Sequence, residues 1–171
     1  PALLAAVATD SGPLTRASVI ALARIGDPLD LRTPSFVDVI RPVLRSREEE
    51  NRVAATLALG ILGDSDVIAD LTAIVDANER GRELVGGAPV SPRVRVVGVL
   101  ALGLLGADVG EERRAEVVGK LASIVRLDTD RDRRTAAVVA LGLLPLGSKA
   151  RLGAIELLLD VLTDPDRDDL E

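Results

Sequence analysis

The sequence predicts an all-α fold, a right-handed α-solenoid of about four and a half stacked helical hairpins. Three observations carry that prediction. An Arg-led apolar stretch recurs: Arg16 to Asp27, Arg52 to Asp64, Arg95 to Gly106 and Arg134 to Pro145. The Ala of the central Ala-Leu pair falls at 21, 58, 101 and 140, so the separations are 37, 43 and 39 residues, in the range of stacked helical units. A second spaced template follows the first each time: Phe36, Val37, Ile40, Val43, Leu44; Val67, Ile68, Leu71, Ile74, Val75; Val117, Val118, Leu121, Ile124, Val125; and Ala154, Ile155, Leu158, Val161, Leu162. This is one face of a helix repeated four times. Finally, 47% of the residues are hydrophobic but only one, Phe36, is aromatic. A core of Leu, Val, Ile and Ala suits helices packed at close range.

The elements can be justified in order. Ala2 to Thr9 is apolar, and its Leu3, Ala6 and Val7 precede Ala21 by the same distances as Ile40, Val43 and Leu44 precede Ala58. Residues 1–10 are therefore a partial unit, the second helix of a hairpin, with a turn at Ser11-Gly12-Pro13. Unit 1 covers 14–45. Its helix A runs from about Leu14 to Ile25, closed by Gly26 and stopped by Asp27-Pro28. Helix B starts near Thr33-Pro34, with Thr33 as cap and Pro34 in the first turn. Pro42 inside it should kink or open the helix.

Unit 2 covers 48–76. Glu48-Glu49-Glu50 places negative charge at the start of helix A, Gly63 closes that helix, and Ser65 caps helix B. Unit 3 covers 93–126 and unit 4 covers 130–163. Gly60, Gly103 and Gly142 lie mid-helix, where Gly costs about 1 kcal/mol against Ala, so close approach of a neighbouring helix is expected at each. The Arg that opens each helix A is expected to lay its stem on the preceding turn with its head in water. The last helix B residue precedes the next origin by 14, 14, 26 and 15 residues, which isolates an inserted loop at 77–92 between units 2 and 3. Its Gly and Pro content excludes a long helix. Thr163 to Asp169 resembles another turn between units, and both ends look cut from a longer array.

The Ala-Leu-Gly-Ile-Leu-Gly-Asp of 58–64, preceded by Arg52-Val53-Ala54-Ala55, resembles the first helix of a HEAT repeat, in the short variant common in bacteria and in phycobilisome lyase-type proteins. The resemblance covers nearly the whole chain. It implies an armadillo-like array that serves as a protein-binding scaffold, with helix B lining the concave face. Arg-rich, Lys-poor and Ala-rich usage agrees with a bacterial source.

Function classes narrow by composition. With no Cys and no His, zinc sites of thiolate or imidazole type and His acid–base catalysis are excluded from this chain. A net charge of −6 argues against nucleic acid as a partner. The longest apolar run, Val96 to Ala107, is twelve residues, short of the roughly 20 a membrane helix needs. Glu111-Glu112 and Asp128-Asp130 are explained by helix starts and turns. The lyase-like relatives would imply bilin attachment, and a repair glycosylase is another precedent for the fold. The first leans on polar groups in a pocket, and the second wants basic and aromatic residues in a groove.

The expectation is thus a non-enzymatic chain without metal or cofactor, binding a protein or peptide; the alternative is a structural spacer or assembly segment of a larger multi-repeat protein, held by adjoining repeats of its own chain. Outward positions on helix B include Asp38, Arg41, Arg45, Asp70, Asp76, Lys120, Arg126 and Glu156, of mixed sign. Partner-binding candidates are Arg41, Arg45, Lys120 and Arg126 on that face. Arg80, Arg82 and Glu83 join them on the deformable Gly-rich backbone of the insertion.

Overall fold

The computed structural model describes residues 2–9, 12–26 and 35–163, with the side chains of 148–150, 161 and 162 set aside. Within them the chain is an α-solenoid without strands. The order is α1 (Ala2–Ala8), α2 (Gly12–Ile25), α3 (Phe36–Ile40), a 3-10 stretch (Arg41–Arg45), α4 (Glu49–Leu62), a 3-10 turn (Ser65–Val67), α5 (Ile68–Asp76), α6 (Glu79–Leu84), α7 (Pro92–Asp108), α8 (Glu111–Leu127), α9 (Arg131–Leu143) and α10 (Ser148–Thr163). Helices A are α2, α4, α7 and α9. Each packs against the next, and α1, α5 and α8 pack against the helix A that follows them. One continuous aliphatic core results, centred on residues such as Ile40, Leu44, Leu59, Leu71, Ile74, Leu102, Leu105 and Leu121.

The small residues set the helix A spacing. A Cβ built on Gly60 would lie 2.5 Å from the Ala101 carbonyl oxygen and 2.6 Å from its Cα. A Cβ on Gly103 would lie 2.7 Å from the Ala140 Cα. The Gly of one unit therefore receives the origin Ala of the next, and the intrinsic cost of mid-helix Gly is offset by contact no other residue allows. Gly142 departs from the expectation: among the described residues nothing stands within 4 Å of its would-be Cβ. Nearby, Val139 and Leu143 are exposed, as are Leu152, Ile155 and Leu159 of α10. Ile155 therefore does not repeat the buried role of Ile68. Among the described residues, no following helix A lies against the face of α10 that corresponds to the one α5 and α8 turn to theirs.

Local signals hold at most boundaries. Gly26 and Gly63 close their helices in the left-handed region, at φ of 79° and 72°. Pro42 sits in the first turn of the 3-10 stretch, so helix B of unit 1 tightens there rather than continuing as α-helix. The cap of the second helix B is Asp64, which accepts from the Asp66 N–H at 2.8 Å, and not Ser65. An aspartate at that position meets the free N–H groups with charge as well as geometry. In unit 1 the described helix begins at Phe36 with Ser35 as cap, accepting from Val37 N–H at 3.2 Å. Gly12 already belongs to α2. Ser11, Asp27-Pro28, the Thr33-Pro34 start and residues 164–169 lie outside the described residues.

The repeated Arg departs from the expected wet head. Arg95 Nε donates to the Val75 carbonyl at 2.8 Å, and Arg52 Nη1 to the Ser46 carbonyl at 2.6 Å. Each neutralises the carbonyl end of the preceding helix B, where a cation is favoured. Arg114 does the same for α7, donating to the carbonyls of Gly106 at 2.9 Å and Val109 at 2.7 Å. The glutamate run likewise reaches beyond its own helix. Glu48 pairs with Arg16 at 3.4 Å, Glu50 with Arg93 at 3.2 Å, and Glu49 accepts from the Ser91 hydroxyl. The Glu50 carboxyl is held below the usual carboxylate range, first by its own backbone N–H and then by Arg93, with desolvation opposing.

The packing predicts opposite signs for one substitution at two equivalent positions. Gly60→Ala forces backbone apart and is expected to cost about 1–3 kcal/mol. Gly142→Ala meets open space and should stabilise by roughly 0.5–1 kcal/mol through helix propensity. Urea unfolding followed by far-ultraviolet circular dichroism measures both, and equal effects would contradict the ladder.

Candidate functional site

The inserted stretch is not a loop of deformable backbone. Residues 79–84 form α6, and Asn78 caps it by accepting from the Gly81 N–H at 3.0 Å. Gly81 lies against α5 so closely that a Cβ there would be 2.1 Å from the Ala73 carbonyl oxygen. Val85 and Val90 are buried, so the stretch also adds to the core. It ends two residues earlier than the expected 92, because Ser91 caps α7 and Pro92 is its first residue.

Asp70 fastens this insertion to helix B. Its side chain is only 2% exposed, although its place in the helix B pattern marks it as an outward, solvated position. The difference has a tertiary cause: α6 docks on α5 beside it. One carboxylate oxygen accepts from Arg41 Nε at 3.0 Å. The other accepts from Arg80 Nε at 3.1 Å and Nη2 at 2.6 Å. Arg41 belongs to the 3-10 stretch of unit 1, Asp70 to unit 2 and Arg80 to the insertion. A single buried carboxylate thus ties three separately encoded segments, and two guanidinium groups satisfy both of its oxygens.

Beside this clamp is an open pocket of about 400 Å³ lined by Arg41, Arg45, Asp70, Arg80, Glu83 and Leu84. Four of the seven residues that the sequence marks as partner-binding candidates meet there: Arg41, Arg45, Arg80 and Glu83. The other three do not. Arg82 is on α6 outside the lining and donates to the Ala77 carbonyl at 3.4 Å. Lys120 pairs with Asp76 across the α5–α8 boundary. Arg126 is exposed in the last turn of α8. Sequence reasoning missed Asp70 as a member of the site. The available signal was a lone acidic residue amid the apolar template of α5, with Arg80 one short insertion away.

The arrangement suits recognition by charge. Its polar groups are guanidinium and carboxylate, and Asp70 is already fully engaged by Arg41 and Arg80. Among the described residues no group of three Asp or Glu is placed to hold a metal ion, and no helix is long and apolar enough to cross a membrane. A family model described as HEAT repeats matches residues 1–86, a stretch that contains every residue lining the pocket. No curated protein matches the chain.

Removing the clamp should release the insertion. Asp70→Ala leaves two guanidinium groups without their buried partner and is expected to destabilise the chain by about 1–3 kcal/mol. Amide hydrogen exchange should quicken at Gly81, Arg82 and Val85 while Leu102 and Leu121 stay protected. Unchanged protection across residues 79–85 would show that α6 is held by Gly81 and Val85 alone.

Proposed function

The chain belongs to the HEAT-repeat family, whose arrays commonly mediate protein–protein interaction, and from that premise we propose that it is a non-catalytic scaffold for a protein or peptide. Binding uses the helix B face, at the pocket where that face meets α6. The observation that carries this reading is the convergence of Arg41, Arg45, Arg80 and Glu83, drawn from two distant stretches, around one open cavity. Array surfaces of this kind offer extended contact, and a rigid, pre-set group of charged side chains adds register and specificity to it.

A second reading has one observation in its favour. Among the described residues, the α9–α10 end leaves the Gly142 notch unfilled and Val139, Leu143, Leu152, Ile155 and Leu159 exposed. A spacer or assembly segment, covered by an adjoining repeat at that end, accounts for those residues without any ligand in the pocket.

Selection from a randomised displayed peptide library against the immobilised chain separates the two. Deleting 77–92 would be a poor control, because it would strip cover from Asp70 and remove Val85 and Val90 from the core. Point variants keep the fold. The scaffold reading expects enriched peptides whose affinity falls at least about tenfold on Arg45→Glu, a change of about 1.4 kcal/mol. An empty selection, or peptides indifferent to charge reversal at both Arg45 and Lys120, would overturn it and leave the spacer.

A further inference from the structure

Arg41, Arg45 and Arg80 place three positive charges on the pocket wall, against two negative charges from Asp70 and Glu83. The lining residues alone thus carry one excess positive charge on a chain whose net charge is −6, and Asp38, outside the lining, pairs with Arg41. The excess is available. Asp70 engages Arg41 through Nε and Arg80 through Nε and Nη2, and so sets the orientation of both groups without using all their donors. Among the described residues, Arg41 Nη1 has only the exposed Asp38 at 3.6 Å as a further partner. Among the described residues no ion pair or side-chain hydrogen bond engages Arg45. Its stem is nevertheless backed by structure, since Gly86 lies against the Arg45 Cβ, 3.7 Å from where a glycine Cβ would stand.

From this we infer that the pocket is a carboxylate-reading subsite: it accepts the side chain of one Asp or Glu of an acidic peptide segment, with Arg45 as the principal contact and Arg41 and Arg80 as pre-oriented neighbours. This rests on the scaffold reading and names the ligand chemistry of its site. Guanidinium groups match a carboxylate in shape and charge. A single carboxylate also matches Arg45, the one guanidinium of the lining that no ion pair engages among the described residues, whereas a phosphate dianion would leave one negative charge uncompensated beside Glu83. Leu84 on the wall and the stem of Arg45 offer apolar contact to the methylenes of the bound side chain. Glu83 acts against the ligand. It is the carboxylate already on the rim and competes for the same donors.

The probe is a short capped peptide with one aspartate between leucines, so that it holds a single carboxylate. Its asparagine counterpart and a phosphoserine counterpart are the comparisons. Binding is read from backbone amide shifts of residues 41, 43–46 and 79–85 in the full chain. The expected result is saturable shifts with the aspartate peptide, affinity at least about tenfold weaker for the asparagine peptide and for Arg45→Gln, and tighter binding by Glu83→Gln. Binding of the aspartate peptide should also weaken with added salt, as a partly exposed ion pair requires. Equal shifts from the asparagine peptide, or undiminished affinity in Arg45→Gln, would overturn the inference. So would tenfold tighter binding of the phosphoserine peptide, which would make the site a phosphate reader. In each case library peptides that still bind elsewhere on helix B keep the scaffold reading alive, and that reading fails only with the empty or indifferent selection. Amide exchange of Arg45→Gln matching the parent shows that lost binding is not lost folding.

Discussion

Helix-to-helix approach at single methyl groups is the constraint on which the array depends. Ala101 sits on Gly60 and Ala140 on Gly103, with no space for a further carbon at either crossing. A chain with one aromatic residue cannot hold its units together through aromatic side chains. It does so by bringing backbones close, so that many small contacts accumulate over a long interface. At these two crossings the same closeness favours one register, because the Gly position of one helix admits the Ala position of the next.

Charged residues then act between units more than within them. Arg52 and Arg95 cap the carbonyl ends of the helices before them, and Glu48, Glu49 and Glu50 reach to Arg16, Ser91 and Arg93 on either side. Exposed pairs of this kind are individually weak. The caps to buried or half-buried carbonyls matter more, since they meet acceptors that the helix itself leaves unpaired. Nearest-neighbour terms of this sort are what hold a repeat array together.

The insertion changes the surface of this otherwise regular array. By docking α6 on α5 through Gly81, it converts Asp70 from a rim residue into a buried anchor and brings Arg80 beside Arg41 and Arg45. A pocket with defined charge exists only because an irregular segment lies on a regular one. This is a general route by which repeat scaffolds gain an individual site, since the repeats supply rigidity and the interruption supplies difference.

The fold was largely legible without coordinates. The Ala-Leu origins at 21, 58, 101 and 140, the helix B template through Ile40, Leu71 and Leu121, and the closing Gly26 and Gly63 are local patterns, and local spacing is what helices obey. The site was half legible. Arg41, Arg45, Arg80 and Glu83 stand out as charges on an exposed face or an irregular stretch, but nothing in their spacing says that they converge. The burial of Asp70, the docking of α6 on α5, the contact of Arg95 with the Val75 carbonyl and, among the described residues, the open notch at Gly142 were decided by tertiary structure. Each depends on which element covers a residue. That is set by packing between segments ten to forty residues apart, where sequence periodicity carries no information.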